Sequence, residues 1–296
     1  FQCDKLVKEL SYKIKYYYSM ETNELSIVVT TFKSELKIFT CLDAIPSNIK
    51  TIVVENSNNE SFKKEIEKKY KNVNCILTGE NKGYARANNI GLSKVKTEFA
   101  LVLNPDAFLE INAIENFLKT AIKYNDFWII GPGNDQGVNL NFKNSDTIQV
   151  NNLKGFAIFL NIPKFKGKFF DENFFLYFEE IDLCMNVKKN GGKIYLSQNI
   201  IIKHEGASSV NKLNKIELEK SRNWHWMWST FYFHKKYKGI FIASILISPK
   251  FLSSLIKVVF YTLTLNKEKK DIYYFRLSGI LNSIIGKKSW YRPSLD

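Results

Sequence analysis

The segment Asn104-Pro105-Asp106 has the residue types and the position of a cation-binding turn. It follows the apolar run 99–103, which predicts a buried strand because it is short, bulky and bounded by polar residues. Pro105 ends that strand, since it has no N–H to donate to a neighbouring strand. A carboxylate at the carboxyl end of a parallel sheet, backed by an amide, suits a hard divalent cation that also binds a diphosphate. A plain turn with Asp106 as a helix cap is the alternative.

A second group of acids comprises Glu179, Glu180 and Asp182, which follow the aromatic stretch 170–178. If a helix begins at Glu179, all three acids lie in its first turn, where the helix dipole favours negative charge. A well-capped helix is therefore one interpretation. The other is a general base, because aromatic neighbours raise the pKa of a carboxylate and such a group can take a proton from a sugar hydroxyl.

The stretch 81–89, which begins at Asn81, has features of a phosphate-binding helix start. Gly83 precedes the predicted helix, whose first N–H groups and positive potential suit a diphosphate. Asn88 is an amide in mid-helix, a position that disfavours this residue type unless it faces a ligand or the sheet. Arg86 either neutralises phosphate charge or is solvated. An ordinary helix start is the alternative for the whole segment.

Two further polar residues end predicted strands. Glu55 ends the run 50–55 and can accept hydrogen bonds from a ribose hydroxyl or a base N–H, although a cap for the next helix explains it as well. His204 ends the run 200–204, where a neutral imidazole can ligate a metal or contact a phosphate. A lone histidine is more often structural.

These residues lie in an alternation of strand and helix patterns. Strands are predicted at 25–30, 50–55, 72–78, 98–103, 127–131, 153–160, 193–196 and 200–204. Helices are predicted at 35–43, 60–70, 84–93, 113–124 and 179–190, with a polar loop at 132–150 and a basic helical pattern from Lys212. Such alternation implies right-handed crossovers and a mainly parallel sheet with helices on both faces.

The composition indicates one large core plus an appendage, because the chain has 296 residues and is 45% hydrophobic. The cysteines are scattered, at Cys3, Cys41, Cys75 and Cys184. This argues against a zinc site or a disulfide framework and fits a reducing compartment. Residues 1–24 show no secretory signal. Their helical spacing of apolar residues predicts an amphipathic helix, and the alternative is a native chain that starts at Met20.

Positive charge is concentrated near the C-terminus. Residues 201–296 hold 17 Lys/Arg and 6 Asp/Glu, which is +11 of the net +14. Aromatic residues crowd the same region, at Trp224, Trp226, Trp228, Phe231, Tyr232 and Phe233. A basic aromatic region binds nucleic acid or an anionic membrane, and no nucleic-acid motif is present. The apolar segment 240–265 contains Pro249 and two lysines, so we expect it to lie on a membrane rather than span one. A soluble helical subdomain is the alternative.

In their order along the chain, these segments resemble the motifs of family 2 glycosyltransferases, particularly the rhamnosyltransferase-like members that build bacterial surface polysaccharides. The resemblance covers about residues 25–240. Six short motifs carry it, at Leu25–Phe32, Val53–Asn56, Asn81–Gly91, Asn104–Asp106, Phe170–Cys184 and His204–Ser208. It implies an α/β fold of the GT-A (Rossmann-like) type, a mostly parallel central sheet flanked by helices, with a basic aromatic helical C-terminal region.

The resemblance also assigns roles to residues. The donor-binding set is Thr31, Glu55, Asn81, Gly83, Arg86 and Asn88. The metal set, for Mg²⁺ or Mn²⁺, is Asp106, Asn104 and His204. Glu180 takes the place of the base, supported by Glu179 and Asp182. The family has Asp where Glu180 and Glu55 stand, so either the acceptor lies further back or Glu179 is the base. Ala85-Arg86-Ala87 stands where the family more usually has Ala-Gly-Gly, which narrows the space near the donor.

We therefore expect an inverting glycosyltransferase that uses a dTDP- or UDP-sugar, with rhamnose among the candidates, and a lipid-linked oligosaccharide acceptor. It would act at the cytoplasmic face of an anionic membrane, without a nucleic-acid partner. The expected regions are an extension at 1–24, a donor subdomain at 25–135, an acceptor subdomain at 136–210 and a membrane-associating region at 211–296. A sugar nucleotidyltransferase would need a Gly-rich loop after the first strand, which is absent. A non-catalytic sugar-nucleotide-binding or scaffold protein remains an alternative.

Overall fold

The computed structural model describes residues 24–134, 136, 145–205 and 212–293. The strands are β1 (Leu25–Thr31), β2 (Lys50–Glu55), β3 (Val73–Leu77), β4 (Phe99–Leu103), β5 (Ala107–Leu109), β6 (Phe127–Pro132), β7 (Thr147–Gln149), β8 (Ala157–Asn161), β9 (Lys193–Ser197) and β10 (Ile202–His204). The helices are α1 (Glu35–Asp43), α2 (Glu60–Lys69), α3 (Tyr84–Leu92), α4 (Ala113–Lys123), α5 (Ile162–Phe165), α6 (Glu179–Lys189), α7 (Lys212–Leu263) and α8 (Lys267–Ile284).

The central sheet has the order β3-β2-β1-β4-β8-β6-β9-β7, and its first four strands run parallel. The chain moves outward from β1 to β3 and then crosses back to place β4 on the other side of β1. This reversal creates a crevice outside the carboxyl ends of β1 and β4, which is where open α/β sheets bind ligands. The mainly parallel sheet is confirmed, with β8 inserted antiparallel between β4 and β6.

Two details of the second half differ from the sequence prediction. The strand predicted at 153–160 begins only at Ala157, and the carbonyl of Gly155 before it accepts a hydrogen bond from the hydroxyl of Tyr84. The predicted loop 132–150 contains β7, which pairs with β9 at the sheet edge. The N-terminal extension and residues 206–208 of the motif at His204 lie outside the described residues, so those predictions stay as they are.

Each face of the sheet has its own core. One face packs against α1, α2 and α4, as shown by the stacked rings of Phe117 and Phe159, whose centroids are 5.0 Å apart. The other face packs against α3 and α6, with Ala85 and Leu183 fully buried. The predicted periodicities are confirmed for these helices. Because α3 and α6 pack on the same face of the sheet, the segments before them, 81–83 and 170–178, meet at the same edge of the sheet.

The helix α7 is bent at Gly239, whose φ of 79° and ψ of 165° are non-helical. We refer to residues 212–238 as the inner segment and to 240–263 as the outer segment. Met227 of the inner segment and Ile247 of the outer segment share a buried cluster with Ile280 of α8. The two segments and α8 therefore form a three-helix unit in which the chain doubles back at Gly239.

The inner segment corrects the prediction for the C-terminal aromatics. Trp224 and Phe231 are fully buried and Trp228 is 3% exposed, so they form a core rather than a membrane-facing surface. The outer segment corrects a second expectation, because the helix continues through Pro249 instead of dividing into shorter pieces. Within the described residues, the span Ile216–Leu263, which includes the bend at Gly239, is long and apolar enough to cross a membrane by length and composition alone, with a mean hydropathy of 1.8 in its most apolar stretch.

Candidate active site

Two buried oxygen atoms lie at the crevice between β1 and β4. Thr31 ends β1 and Asn104 follows β4, and neither Thr31 Oγ1 nor Asn104 Oδ1 has a hydrogen-bond partner among the described residues. Buried polar atoms are nearly always paired in folded proteins, so two unpaired oxygens at a ligand-binding edge indicate a ligand position. The backbone N–H of Asn104 donates to the carbonyl of Phe156 at 2.9 Å, which holds the end of β4 against the residue that precedes β8.

The antiparallel pair β5–β10 brings Asp106 and His204 together. His204 lies opposite Ala107 in this pair, and its Nε2 is 3.5 Å from Asp106 Oδ1. The imidazole stacks on the ring of Phe156 with centroids 4.8 Å apart, which holds its orientation. The predicted metal residues therefore meet in space, although β10 is about a hundred positions from β5 along the chain.

These residues fit a cation of the predicted kind. The described part of the chain contains no group of three or more His, Cys, Asp or Glu side chains that could hold a metal. A magnesium-type cation on a diphosphate needs only one or two protein carboxylates, because phosphate oxygens and water complete its shell. Asp106, its neighbour His204 and the unpaired Oδ1 of Asn104 meet that smaller requirement.

The acids Glu179 and Glu180 open α6 after an unusual turn. Tyr177 and Phe178 both have a φ of 72°, a left-handed conformation that costs a non-glycine residue about 1–3 kcal/mol. The packing of Phe178 against Trp226, with ring centroids 5.4 Å apart, helps to hold this turn in place. The strained turn sets where both carboxyl groups enter the crevice.

Burial raises the pKa of both acids. Burial, followed by the charge of Glu180, raises the pKa of Glu179 to about 8, although the N–H groups of Glu179 and Tyr177 oppose the rise. Burial also raises the pKa of Glu180, against the N–H groups of Glu180 and Ile181. Glu179 is 4% exposed, and its Oε2 has no partner in the described part of the chain. Burial therefore disfavours the charged form of both acids, and a pKa of about 8 favours a proton on Glu179 at neutral pH.

Tyr84 connects the two halves of the site. Its hydroxyl donates to the carbonyl of Gly155 at 2.8 Å, and an added Cβ at Gly155 would lie 3.3 Å from the Cβ of Glu180. Burial raises the pKa of Tyr84, and so do the charges of Glu179, Glu180 and Asp106. The charges of the two glutamates and of Asp106 thus all reach the Tyr84 hydroxyl, which places the three acids around the same part of the crevice. No role for Tyr84 or Gly155 follows from the sequence alone.

Asn88 and Glu55 are held by the protein itself. Asn88 is fully buried, accepts a hydrogen bond from Thr30 Oγ1 at 3.0 Å and donates to the carbonyl of Tyr84. It therefore ties α3 to β1 beside the crevice. Glu55 is 1% exposed and accepts from the N–H and the hydroxyl of Ser57 at 2.9 and 2.8 Å, as a cap cluster would. Their roles in donor binding stay predictions.

Asn81 and Gly83 belong to a loop organised by Asn56. The Asn56 amide donates to Asn81 Oδ1 at 3.0 Å and accepts from the N–H of Lys82 at 2.8 Å. One N–H at the N-terminus of α3 is used by the protein itself, because the N–H of Tyr84 donates to the carbonyl of Phe175 at 2.8 Å. The role of this terminus in binding a diphosphate stays a prediction. Asn81 and Gly83 therefore shape the loop beside the crevice.

Arg86 points to a different cavity. Its Nε lies 3.5 Å from Glu172 Oε2, and the side chain is 53% exposed. It lines a cavity of about 290 Å³ together with Lys82, Phe175 and Arg292. The structure thus pairs Arg86 with an acid at this cavity, and its role as a donor contact stays a prediction.

Asp182 contacts the C-terminal helices rather than Glu180. Its Oδ1 lies 2.6 Å from Lys236 Nζ and accepts from the Tyr237 hydroxyl at 2.9 Å. Burial raises the pKa of Asp182, although Lys236 and Tyr237 oppose the rise. Lys236 also lies 2.8 Å from Asp171, so one ammonium group joins two acids of the 170–182 segment to α7. Asp182 therefore supports the base only by holding α6 against α7. The sequence carries no signal for the part played by Lys236, because this contact depends on the tertiary structure.

The sequence profile of the family described as "Glycosyl transferase family 2" matches residues 26–184, more than half of the chain. The chain is 27% identical over 195 residues to the low-salt glycan biosynthesis hexosyltransferase Agl10 of Haloferax volcanii, which covers 56% of this chain and 62% of that protein. It is 34% identical over 105 residues to a teichoic acid poly(glycerol phosphate) polymerase of Staphylococcus epidermidis, covering 33% of this chain and 15% of that protein. The chain thus spans less than two thirds of either relative.

Among solved structures, the fold is similar to that of the mannosyltransferase PcManGT from Pyrobaculum calidifontis in complex with GDP-Man and Mn²⁺. The TM-score is 0.57, the identity is 12%, and 94% of each chain is covered. At this identity the similarity concerns the fold alone, and it confirms the predicted GT-A architecture.

Proposed function

Because the chain belongs to glycosyl transferase family 2, we propose that it is an inverting glycosyltransferase of surface polysaccharide synthesis, with a nucleotide-sugar donor and a lipid-linked glycan acceptor. The single observation that carries the proposal is the crevice at Tyr84: its hydroxyl donates to the carbonyl of Gly155, Gly155 lies against Glu180, and the charge of Asp106 reaches the same hydroxyl. A general base and a metal-binding acid that face one crevice are the groups a direct displacement needs.

The donor would bind at the carboxyl ends of β1 and β4, with its diphosphate near the unpaired oxygens of Thr31 and Asn104. A dTDP- or UDP-sugar is the proposed donor, with rhamnose among the candidate sugars. Asp106, Asn104 and His204 would hold Mg²⁺ or Mn²⁺, which offsets negative charge on the departing nucleoside diphosphate when bound. The hydrogen bonds of Asn88 to Thr30 and Tyr84 hold α3 against β1 and so help to preform this site.

Glu180 is the proposed base. It takes the proton of the acceptor hydroxyl while the oxygen attacks the anomeric carbon from the face opposite the leaving group. Burial and the charge of Glu180 raise the pKa of Glu179 to about 8, which favours Glu179 as the protonated member of the pair. One displacement occurs, and no sugar–enzyme bond forms. The raised pKa of Glu180 makes it a stronger proton acceptor than an exposed carboxylate.

A membrane surface is the proposed location of the acceptor. The outer segment exposes apolar side chains along its length, including Phe241 at 76%, Ile256 at 58% and Phe260 at 54%. Its opposite side packs on the inner segment, which in turn contacts the 170–182 segment through Lys236. Because the inner segment is tied to the catalytic half, the outer segment would lie along the cytoplasmic face of the membrane rather than cross it.

The proposal is tested by donor binding and turnover. In a thermal-shift screen with Mn²⁺, a specific dTDP- or UDP-sugar should raise the melting temperature by mass action. Donor hydrolysis, measured with and without an extract of lipid-linked acceptors, then separates an enzyme from a binding protein. Stabilisation without turnover in either condition would favour the non-catalytic alternative, and no stabilisation by any nucleotide sugar would contradict the proposal.

A further inference from the structure

An open cleft of about 540 Å³ lies beside the turn that leads to the two glutamates. It is lined by Tyr177, Glu219, Arg222, Asn223 and Trp226. The rings of Tyr177 and Trp226 meet edge to face, with centroids 5.2 Å apart and an interplanar angle of 80°. Trp226 is 42% exposed, in contrast to the fully buried Trp224. The cleft therefore presents an aromatic corner to solvent.

The other side of the cleft is polar and held in place by its own hydrogen bonds. Arg222 Nη1 donates to Glu219 Oε1 at 2.9 Å, and the Asn223 amide donates to the carbonyl of Glu219 at 2.8 Å. Arg276 of α8 donates to Asn223 Oδ1 at 3.3 Å. The positive charge of Arg222 is offset by the negative charge of Glu219, so the cleft suits a neutral ligand with hydroxyl groups better than a phosphate.

The position of the cleft links it to the reaction. Tyr177 is two residues before Glu179, and its backbone N–H lowers the pKa of the Glu179 carboxyl group. Tyr177 is also one of the two strained residues of that turn, with a φ of 72°. Strained residues that persist in a folded protein concentrate at functional sites. A ligand held against Tyr177 would thus lie next to the proposed base.

Resting on the proposed function, we infer that this cleft binds a pyranose ring of the acceptor glycan, one sugar away from the hydroxyl that attacks. The apolar C–H face of a pyranose packs on an aromatic face through dispersion and loss of water. Its hydroxyl groups reach side chains such as Arg222, Glu219 and Asn223, which both donate and accept. Tyr177 and Trp226 then determine which acceptor is held, and Glu180 acts on the next ring.

Binding of free sugars tests this inference without the lipid acceptor. The probe is a panel of p-nitrophenyl pyranosides (gluco, galacto, N-acetylglucosaminyl and rhamnosyl), followed by saturation-transfer NMR. We expect saturable binding of at least one sugar, weakened tenfold or more by Trp226→Ala and only slightly by Trp226→Phe. Arg222→Met should also weaken sugar binding, and this variant keeps the packing of Trp226 on Phe178 that helps to hold the turn. Tyr274→Ala, at an aromatic residue 58% exposed outside the cleft, is the matched control.

Two results would overturn the inference: no saturable binding of any sugar of the panel to the wild-type protein, or equal binding by wild type and Trp226→Ala when melting temperatures show that both are folded. Calorimetric binding of UDP and dTDP, measured in parallel, reports on the donor site alone. Sugar binding without nucleotide binding would leave the cleft intact and contradict the proposed function. Nucleotide binding without sugar binding would leave the proposed function intact and contradict the sugar-binding cleft.

Discussion

The carbonyl of Phe175 accepts a hydrogen bond from the N–H of Tyr84 at 2.8 Å. The contact joins the start of α3 to the segment that leads into α6, and so holds Tyr84 close to the two glutamates. Gly83 makes it possible, because a Cβ at this position would lie 2.5 Å from the Phe175 oxygen. The glycine of the 81–91 motif is therefore explained by close approach of two backbones.

Gly83→Ala should lower both stability and turnover. The added methyl group must displace the 170–178 segment, which we expect to cost about 2 kcal/mol or more, and the displacement moves Glu180. Gly79→Ala is the matched control, since Gly79 also has a positive φ, of 77°, but has nothing within 4 Å of the added Cβ. It should cost only the backbone strain, about 1 kcal/mol. Equal melting temperatures and equal turnover for the two variants would contradict the close-approach argument.

Glu180→Gln should leave donor binding near the wild-type value and reduce turnover by about 10² or more, because the amide cannot accept the proton of the acceptor. Donor affinity is measured by thermal shift, and turnover by release of the nucleoside diphosphate in the presence of acceptor. Glu172→Gln, at an exposed acid paired with Arg86, serves as the control. Full activity of Glu180→Gln would rule out this residue as the base.

Glu179→Gln should change the pH dependence of stability. The pKa of Glu179 is about 8 in the folded protein and 4.5 for the ordinary group. Between these values the folded state binds more protons than the unfolded state, so the free energy of unfolding falls as the pH rises, by at most roughly 1.4 kcal/mol per pH unit. Glutamine does not titrate. The melting temperature of the variant minus that of wild type should therefore be higher at pH 8 than at pH 5; a constant difference would refute the raised pKa.

Asp106→Asn should abolish the effect of Mn²⁺ on donor binding together with activity, because the amide is a neutral and weaker ligand for a hard cation. The measurement is the donor-induced shift in melting temperature with Mn²⁺ and with a chelator. Glu110→Gln is the control, because Glu110 forms an ion pair with Lys203 on the same two-stranded ribbon. An active Asp106→Asn protein that is insensitive to chelator is the outcome that excludes the metal role.

The outer segment should bind vesicles that contain phosphatidylglycerol, and added salt should weaken this binding because it screens the lysines. Phe241→Glu combined with Phe260→Glu should abolish co-sedimentation, since both side chains are exposed. Ile111→Glu, at an isoleucine 88% exposed in the β5–α4 connection, should have no effect. Equal binding to neutral vesicles would remove the electrostatic contribution, and equal binding by the double variant would exclude this surface.

The sequence determined the local structure of the first half closely, because periodicity and strand-ending residues act over a few positions. The strand before Asn104, the helix start after Gly83 and the helix start at Glu179 all lie within one or two residues of their predicted places. Residue type also identified Asp106 and the glutamate pair as chemical candidates. Pattern alone misplaced the start of β8 and treated the buried Trp224 and Phe231 as membrane-facing, since an aromatic residue looks the same in a core and at an interface.

Only the tertiary structure decided which candidates work together. The β5–β10 pair placed Asp106 beside His204, and the packing of α6 brought Glu180 next to Gly155. The tertiary structure also places Asp182 against Lys236, a contact that the sequence pattern around neither residue predicts. The pKa of Glu179 follows from this burial rather than from residue type, because desolvation depends on what surrounds a group. Residue chemistry is a local property, whereas distance, burial and partner are set by contacts between segments far apart in the chain.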